Sequence, residues 1–100
     1  MNRQFARQAQ QLQARLAKAQ EQLESTTVDA SSGGGVVKVV VTGKLKVQSI
    51  SIDKDVVDPD DIEILEELIL AAINEGLDKA QESAQQMMGA ITGGLKLPGL

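Results

Sequence analysis

The stretch Val36 to Ile52, VVKVVVTGKLKVQSISI, decides the fold. Five of the seven residues from Val36 to Thr42 are valine. β-Branched side chains crowd a helix but fit a pleated sheet, so this is a strand. Leu45 to Ile52 returns as its partner, and Gly43-Lys44 suits a two-residue hairpin turn with Gly in the first central place. Pairing across that turn puts Val37, Val39, Val41, Ile50 and Ile52 on one face, with Lys46 and Gln48. The other face carries Val36, Val40, Leu45 and Val47 among Lys38, Thr42, Ser49 and Ser51. Only one face can meet the chain's own helix, so the half-apolar second face hints at self-association through the sheet.

Upstream, Thr26, Thr27 and Val28 make Ser25 to Ala30 a short edge strand, followed by a flexible turn from Ser31 to Gly35. Before it, Asn2 to Glu24 contains no Gly or Pro and is rich in Ala, Gln, Leu, Arg and Glu, which favour helix. Phe5, Ala9, Leu12, Leu16, Ala19 and Leu23 repeat with alternating spacings of four and three, a heptad seam that wants a partner helix. Arg3, Arg7, Arg15 and Lys18 fall on the opposite side, with Gln4, Gln8, Gln11 and Gln22 among or beside them.

Downstream, Asp58-Pro59-Asp60-Asp61 reads as a helix start, with Asp58 as N-cap and Pro59 in the first turn. The helix is expected to run to about Met88. Its apolar face takes Ile62, Leu65, Leu68, Ile69, Ala72, Ile73, Leu77, Ala80 and Met87. Gly76 lies within that face, where another backbone comes close. The expected architecture is α+β: a long N-terminal helix, a two- or three-stranded antiparallel sheet, a C-terminal helix and a flexible tail. Residues 1–88 form one domain and residues 89–100 a Gly-rich tail.

Composition narrows the function. Phe5 is the only aromatic, and Cys and His are both absent. That removes disulfides, thiolate chemistry, and the commonest general base and metal ligand. Enzyme classes are therefore poor candidates. No apolar run approaches a membrane span, and the N-terminus lacks the apolar stretch of a signal peptide. A soluble cytoplasmic binding or structural protein is the expectation, with no cofactor, no small-molecule substrate and no membrane partner.

Two motifs fail on spacing. Gly35 precedes Gly43-Lys44 by eight residues where a phosphate-binding P-loop needs five, and Leu45 stands where Ser or Thr must meet magnesium. An EF-hand beginning at Asp53 finds Asp58 in place of Gly and Ile64 in place of Glu. The acids of this region serve helix capping and solubility instead.

Charge is distributed unevenly. Residues 1–52 hold seven basic and three acidic groups, residues 53–100 three and eleven, and the first twenty residues no acid at all. A basic stripe on one face is an electrostatic footprint for phosphate even in a chain of net charge −4. The competing reading is a solvated helix face.

In order, the chain presents a Gln-rich basic heptad helix, Ser-Gly-Gly-Gly, Val-Lys-Val, Gly-Lys, Ile-Ser-Ile-Asp, an acidic Leu/Ile/Ala helix and Gly-Gly-Leu-Lys-Leu-Pro-Gly. This ordered set resembles the YbaB/EbfC family of bacterial nucleoid-associated proteins over essentially the whole chain. The resemblance implies a tweezer-like homodimer in the cytoplasm and nucleoid, with the first helices as paired arms. It implies binding to double-stranded DNA, a change in DNA conformation, and roles in nucleoid organisation and gene regulation. The matching DNA-contact positions are Arg3, Arg7, Arg15 and Lys18, with Lys79 as a further candidate; Lys38, Lys44 and Lys46 on the hairpin are the fallback. The rival is a coiled-coil interaction adaptor without DNA binding.

Overall fold

The computed structural model describes residues 2–92. Its elements are α1 (Arg3–Ser25), β1 (Thr27–Ser32), β2 (Val37–Thr42), β3 (Val47–Ile52), a 3₁₀ turn (Lys54–Val56) and α2 (Ile62–Thr92). The strands form one antiparallel sheet in the order β1-β2-β3. α2 crosses β1 and β2 on one face.

Asn2 caps α1 by accepting the Gln4 N–H at 3.0 Å. The helix ends where the Thr26 hydroxyl and N–H both donate to the Gln22 carbonyl, at 2.6 and 2.8 Å, satisfying one of its orphan acceptors. That shifts β1 relative to expectation. Ser25 and Thr26 serve the cap, while Ser31 and Ser32 pair with Lys38 and Val37 instead of joining the turn. The turn is left to Gly33, Gly34 and Gly35, all at positive φ, where only glycine is unstrained.

The hairpin between β2 and β3 also differs. Its loop has three residues, Gly43-Lys44-Leu45, closed by Leu45 N–H to the Thr42 carbonyl at 2.9 Å and Thr42 N–H to the Lys46 carbonyl at 2.8 Å. The left-handed residue is Leu45, at φ 64°, in the third loop position. Gly43 is engaged elsewhere. Its N–H donates to the Thr26 carbonyl, and a Cβ there would stand 2.7 Å from the Leu23 carbonyl oxygen.

A bulge beside Val40 and Val41 then sets Val47, not Lys46, opposite Val41. Val37 and Val39 face Ile52 and Ile50. These residues share a face as expected. The second face is more polar than expected, because Val47 leaves it and Val36 packs against the core. It keeps Val40 among Lys38, Ser49 and Ser51. The apolar surface left open is instead on the α2 side, beyond that helix: every residue of β3 is exposed, Ile50 at 45%.

Asp58 caps a turn rather than the helix: its carboxylate accepts the Asp60 N–H at 3.0 Å, and α2 begins at Ile62. The helix continues through Gly89 to Thr92, past the expected end at Met88. The rest of the expected tail, residues 93–100, lies outside the described residues. Ile62 is 44% exposed and does not join the core.

The core is built from small and β-branched residues: Ala30, Val37, Val39 and Val41 of the sheet against Ala72 and Ala80 of α2. Gly76 lies between the two alanines, in the close contact expected there, although valine methyls rather than backbone make the approach. A Cβ on Gly76 would meet the Val41 Cγ2 at 2.7 Å and the Val39 Cγ2 at 3.1 Å.

Alanine raises helix propensity by about 1 kcal/mol over glycine, whereas overpacking a tight core costs about 1–3 kcal/mol. Gly76→Ala should therefore be neutral to destabilising by about 2 kcal/mol in urea unfolding. Gly89→Ala, with nothing within 4 Å of the new methyl, should stabilise by about 0.5–1 kcal/mol. Equal gains at both sites would show that the contact at Gly76 is loose.

Candidate nucleic-acid interface

α1 is an arm as much as a packed helix. The molecule measures 71 × 26 × 16 Å, with a radius of gyration of 19.6 Å. A compact domain of this length would give about 13 Å. Only the C-terminal part of α1 is held by the body. Ala19 is 1% exposed, Leu16 and Leu23 are half-buried, and the C-terminal end of α2 at Ala90 reaches the surface around Arg15, Lys18 and Gln22. Towards the N-terminus the helix leaves its support, and Phe5 is 72% exposed.

Arg3, Arg7, Arg15 and Lys18 are all exposed along this arm, and among the described residues none of them is ion-paired. They span fifteen residues, roughly 22 Å of helix axis, comparable with about six or seven base pairs. No acid occupies the first turn, so the partial positive charge of the helix N-terminus adds to theirs.

The other candidate lysines divide differently. Lys44 pairs with Glu24 at 3.5 Å and donates to the Gln20 side-chain oxygen at 3.4 Å, tying the hairpin loop to α1. Lys79 pairs with Glu75 at 3.3 Å and donates to the Asp29 carbonyl at 3.2 Å. Both are committed within the chain. Lys38 and Lys46 are exposed and form no ion pair among the described residues, but they sit on the sheet and hairpin, apart from the arm group. Sequence reasoning missed the clamp from Lys44 to Glu24, because the two are twenty residues apart and meet only once the hairpin packs on α1.

The described residues contain no group of three or more acidic side chains placed to hold a metal ion. None of their helices is long and apolar enough to cross a membrane.

A model of the YbaB/EbfC DNA-binding family matches residues 1–95. A nucleoid-associated protein of Syntrophobacter fumaroxidans is 55% identical over 93% of this chain and 84% of its own length. One from Thermoanaerobacter pseudethanolicus is 51% identical over 94% of this chain and 85% of its own. Among solved structures, an uncharacterised Helicobacter pylori protein superposes with a TM-score of 0.80 at 21% identity, over 93% of this chain and 99% of that one. At that identity the superposition speaks for the fold alone. The family match covers α1, the sheet and α2 together, including the arm that carries the four cations, and the chain belongs to the YbaB/EbfC DNA-binding family.

Proposed function

We propose that the chain binds double-stranded DNA as a homodimer, through phosphate contacts from the cations of its two α1 arms. In this reading it changes the conformation of the DNA and serves nucleoid organisation and gene regulation in the bacterial cytoplasm. The observation that carries it is the set Arg3, Arg7, Arg15 and Lys18, exposed on one acid-free stretch of helix and in no ion pair among the described residues. Nucleoid-associated relatives support the same reading. Phosphate contacts position a protein without reading sequence, so affinity is expected to be broad. The sole aromatic, Phe5, lies on the seam away from the cations, which disfavours single-strand binding by base stacking.

The dimer is supported by apolar surface that the chain does not cover. Val47, Ile50 and Ile52 of β3 lie beside the core valines but beyond α2, and Ile62 and Leu70 at the start of α2 are 44% and 61% exposed. A second copy over this region buries what one copy leaves open and holds two arms side by side, as in a pair of tweezers.

Two measurements test the reading. Mobility shifts across a salt series should give a slope of log K against log salt no steeper than about −7, from at most eight phosphate contacts per dimer. Arg7→Ala with Arg15→Ala should weaken binding to all sequences alike and flatten that slope. Full affinity of this double variant at every salt concentration would make the arm a merely solvated face. In sedimentation at micromolar concentration the chain should run as a dimer. Ile50→Lys with Ile52→Lys should shift it towards monomer, and a folded monomer without these changes would refute the homodimer.

A further inference from the structure

The heptad seam of α1 is covered over only half its length. Leu16, Ala19 and Leu23 pack on the body, while Phe5 and Ala9 are exposed and Leu12 is half-buried. These last three line a shallow groove with Gln8, Gln11 and Arg15. At about 100° per residue the strip Phe5-Ala9-Leu12 points away from the face that carries Arg3, Arg7 and Lys18. An arm that lays those cations along a duplex turns the strip away from the DNA. The strip also lies at the far end of the molecule from the open apolar surface of β3 and the start of α2, so the proposed dimer contact leaves it free.

We infer that the strip docks on the same strip of a second dimer, so that DNA-bound dimers join arm to arm and hold two duplex segments together. This rests on the reading that the arm's cations bind DNA. Several observations select a second copy as the occupant. The strip continues, in heptad register, the seam that α1 already packs against its own body, so it suits another helix of the same kind. Its order is large, small, large. An antiparallel two-fold contact that sets Phe5 against Leu12 brings the two copies of Ala9 within one residue of each other beside the axis, a self-complementary arrangement.

Residues flanking a seam choose its partner through their charges. Here Ala6, Gln8 and Gln13 flank it and Asn2 continues it, so the strip meets its own copy without like charges in contact. The nearest cation, Arg15, falls opposite Asn2 of the second copy in that register.

The size of the contact explains why DNA is needed. Phe5 buries about 150–250 Å² at most, and three residues from each arm stay well short of the roughly 1,200 Å² at which stable interfaces begin. The arms also repel each other through their cations. Phosphates neutralise those charges, and a shared duplex raises the local concentration of arms, so weak docking becomes effective on DNA.

The test is a bridging assay, in which bead-tethered duplex plus protein captures a free, labelled duplex, run beside mobility shifts on one short duplex. The unaltered protein should capture the labelled duplex. Phe5→Gln and Leu12→Gln should each lower capture at least about tenfold, because each change counts twice in a two-fold contact, while single-duplex affinity stays within about twofold. Phe5 is exposed, so its variant should fold, and an unchanged helical circular dichroism signal checks this. Undiminished capture by both variants overturns the inference. So does an unaltered protein that shifts single duplexes but captures none, or a Phe5→Gln variant that loses single-duplex affinity, which would place Phe5 against the bases. Failure of the unaltered protein to shift a single duplex would instead remove the DNA reading itself, and the inference with it.

Discussion

The close approach of α2 to β2 at Gly76 is the constraint on which the rest of the structure depends. Ala72, Gly76 and Ala80 succeed one another at intervals of one helical turn and offer the sheet nothing larger than a methyl group. A core of valines and alanines, with no aromatic ring to bridge a gap, has to close by bringing backbones together. Dispersion weakens steeply over a fraction of an ångström, so a helix held further out would forfeit most of these contacts. The valine methyls of β2 accordingly stand where a Cβ on Gly76 would have to go.

Because α2 is drawn down over β1 and β2, β3 is left without a cover, and its apolar residues stay exposed, the surface on which the proposed dimer rests. The length of α2 carries its C-terminal end to the middle of α1, where Ala19 is buried and the seam finds its support. The hairpin loop grips the base of the same helix, through the Gly43 N–H on the Thr26 carbonyl and through Lys44 on Glu24. The arm is thus aimed by contacts that trace back to the core, although its free half touches none of it.

Much of this architecture is legible in the sequence. The order of elements, the faces of Val37, Val39 and Val41, the close contact at Gly76 and the arrangement of the arm cations all derive from periodicity and residue size, which are local. The features that escape sequence reasoning depend on partners far along the chain. The hairpin loop is longer than its sequence suggests because Gly43 is used against α1, leaving the left-handed position to Leu45. The bulge beside Val40 and Val41 moves Val47 to the other face, and with it the apolar surface expected on the far side of the sheet. Lys44 and Lys79 look equivalent to other surface lysines in the sequence, yet each is held by an acid and by an oxygen acceptor from another element. The arm cations stay exposed, in the arrangement that the helical period gives them, and among the described residues none is drawn into an ion pair.

A chain with a pI near 4.7 makes an unusual candidate for a DNA-binding protein, and the proposed function answers this through where the charges lie. The C-terminal end of α2 meets α1 near Lys18, and α2 runs back from there into the body. Glu63, Glu66 and Glu67 are separated from that end by roughly 35–40 Å of helix at 1.5 Å per residue. At physiological ionic strength exposed charges are screened over about 8 Å, so these acids have little effect at the arm. Glu82 and Asp78 lie closer, and Glu21 and Glu24 share α1 itself, but all four sit at or behind the anchored end. A duplex approaching the free half of the arm meets Arg3, Arg7 and the unneutralised helix N-terminus first. Net charge governs the solubility of such a molecule, while the field that a duplex encounters is set by the few charges within a screening length of it.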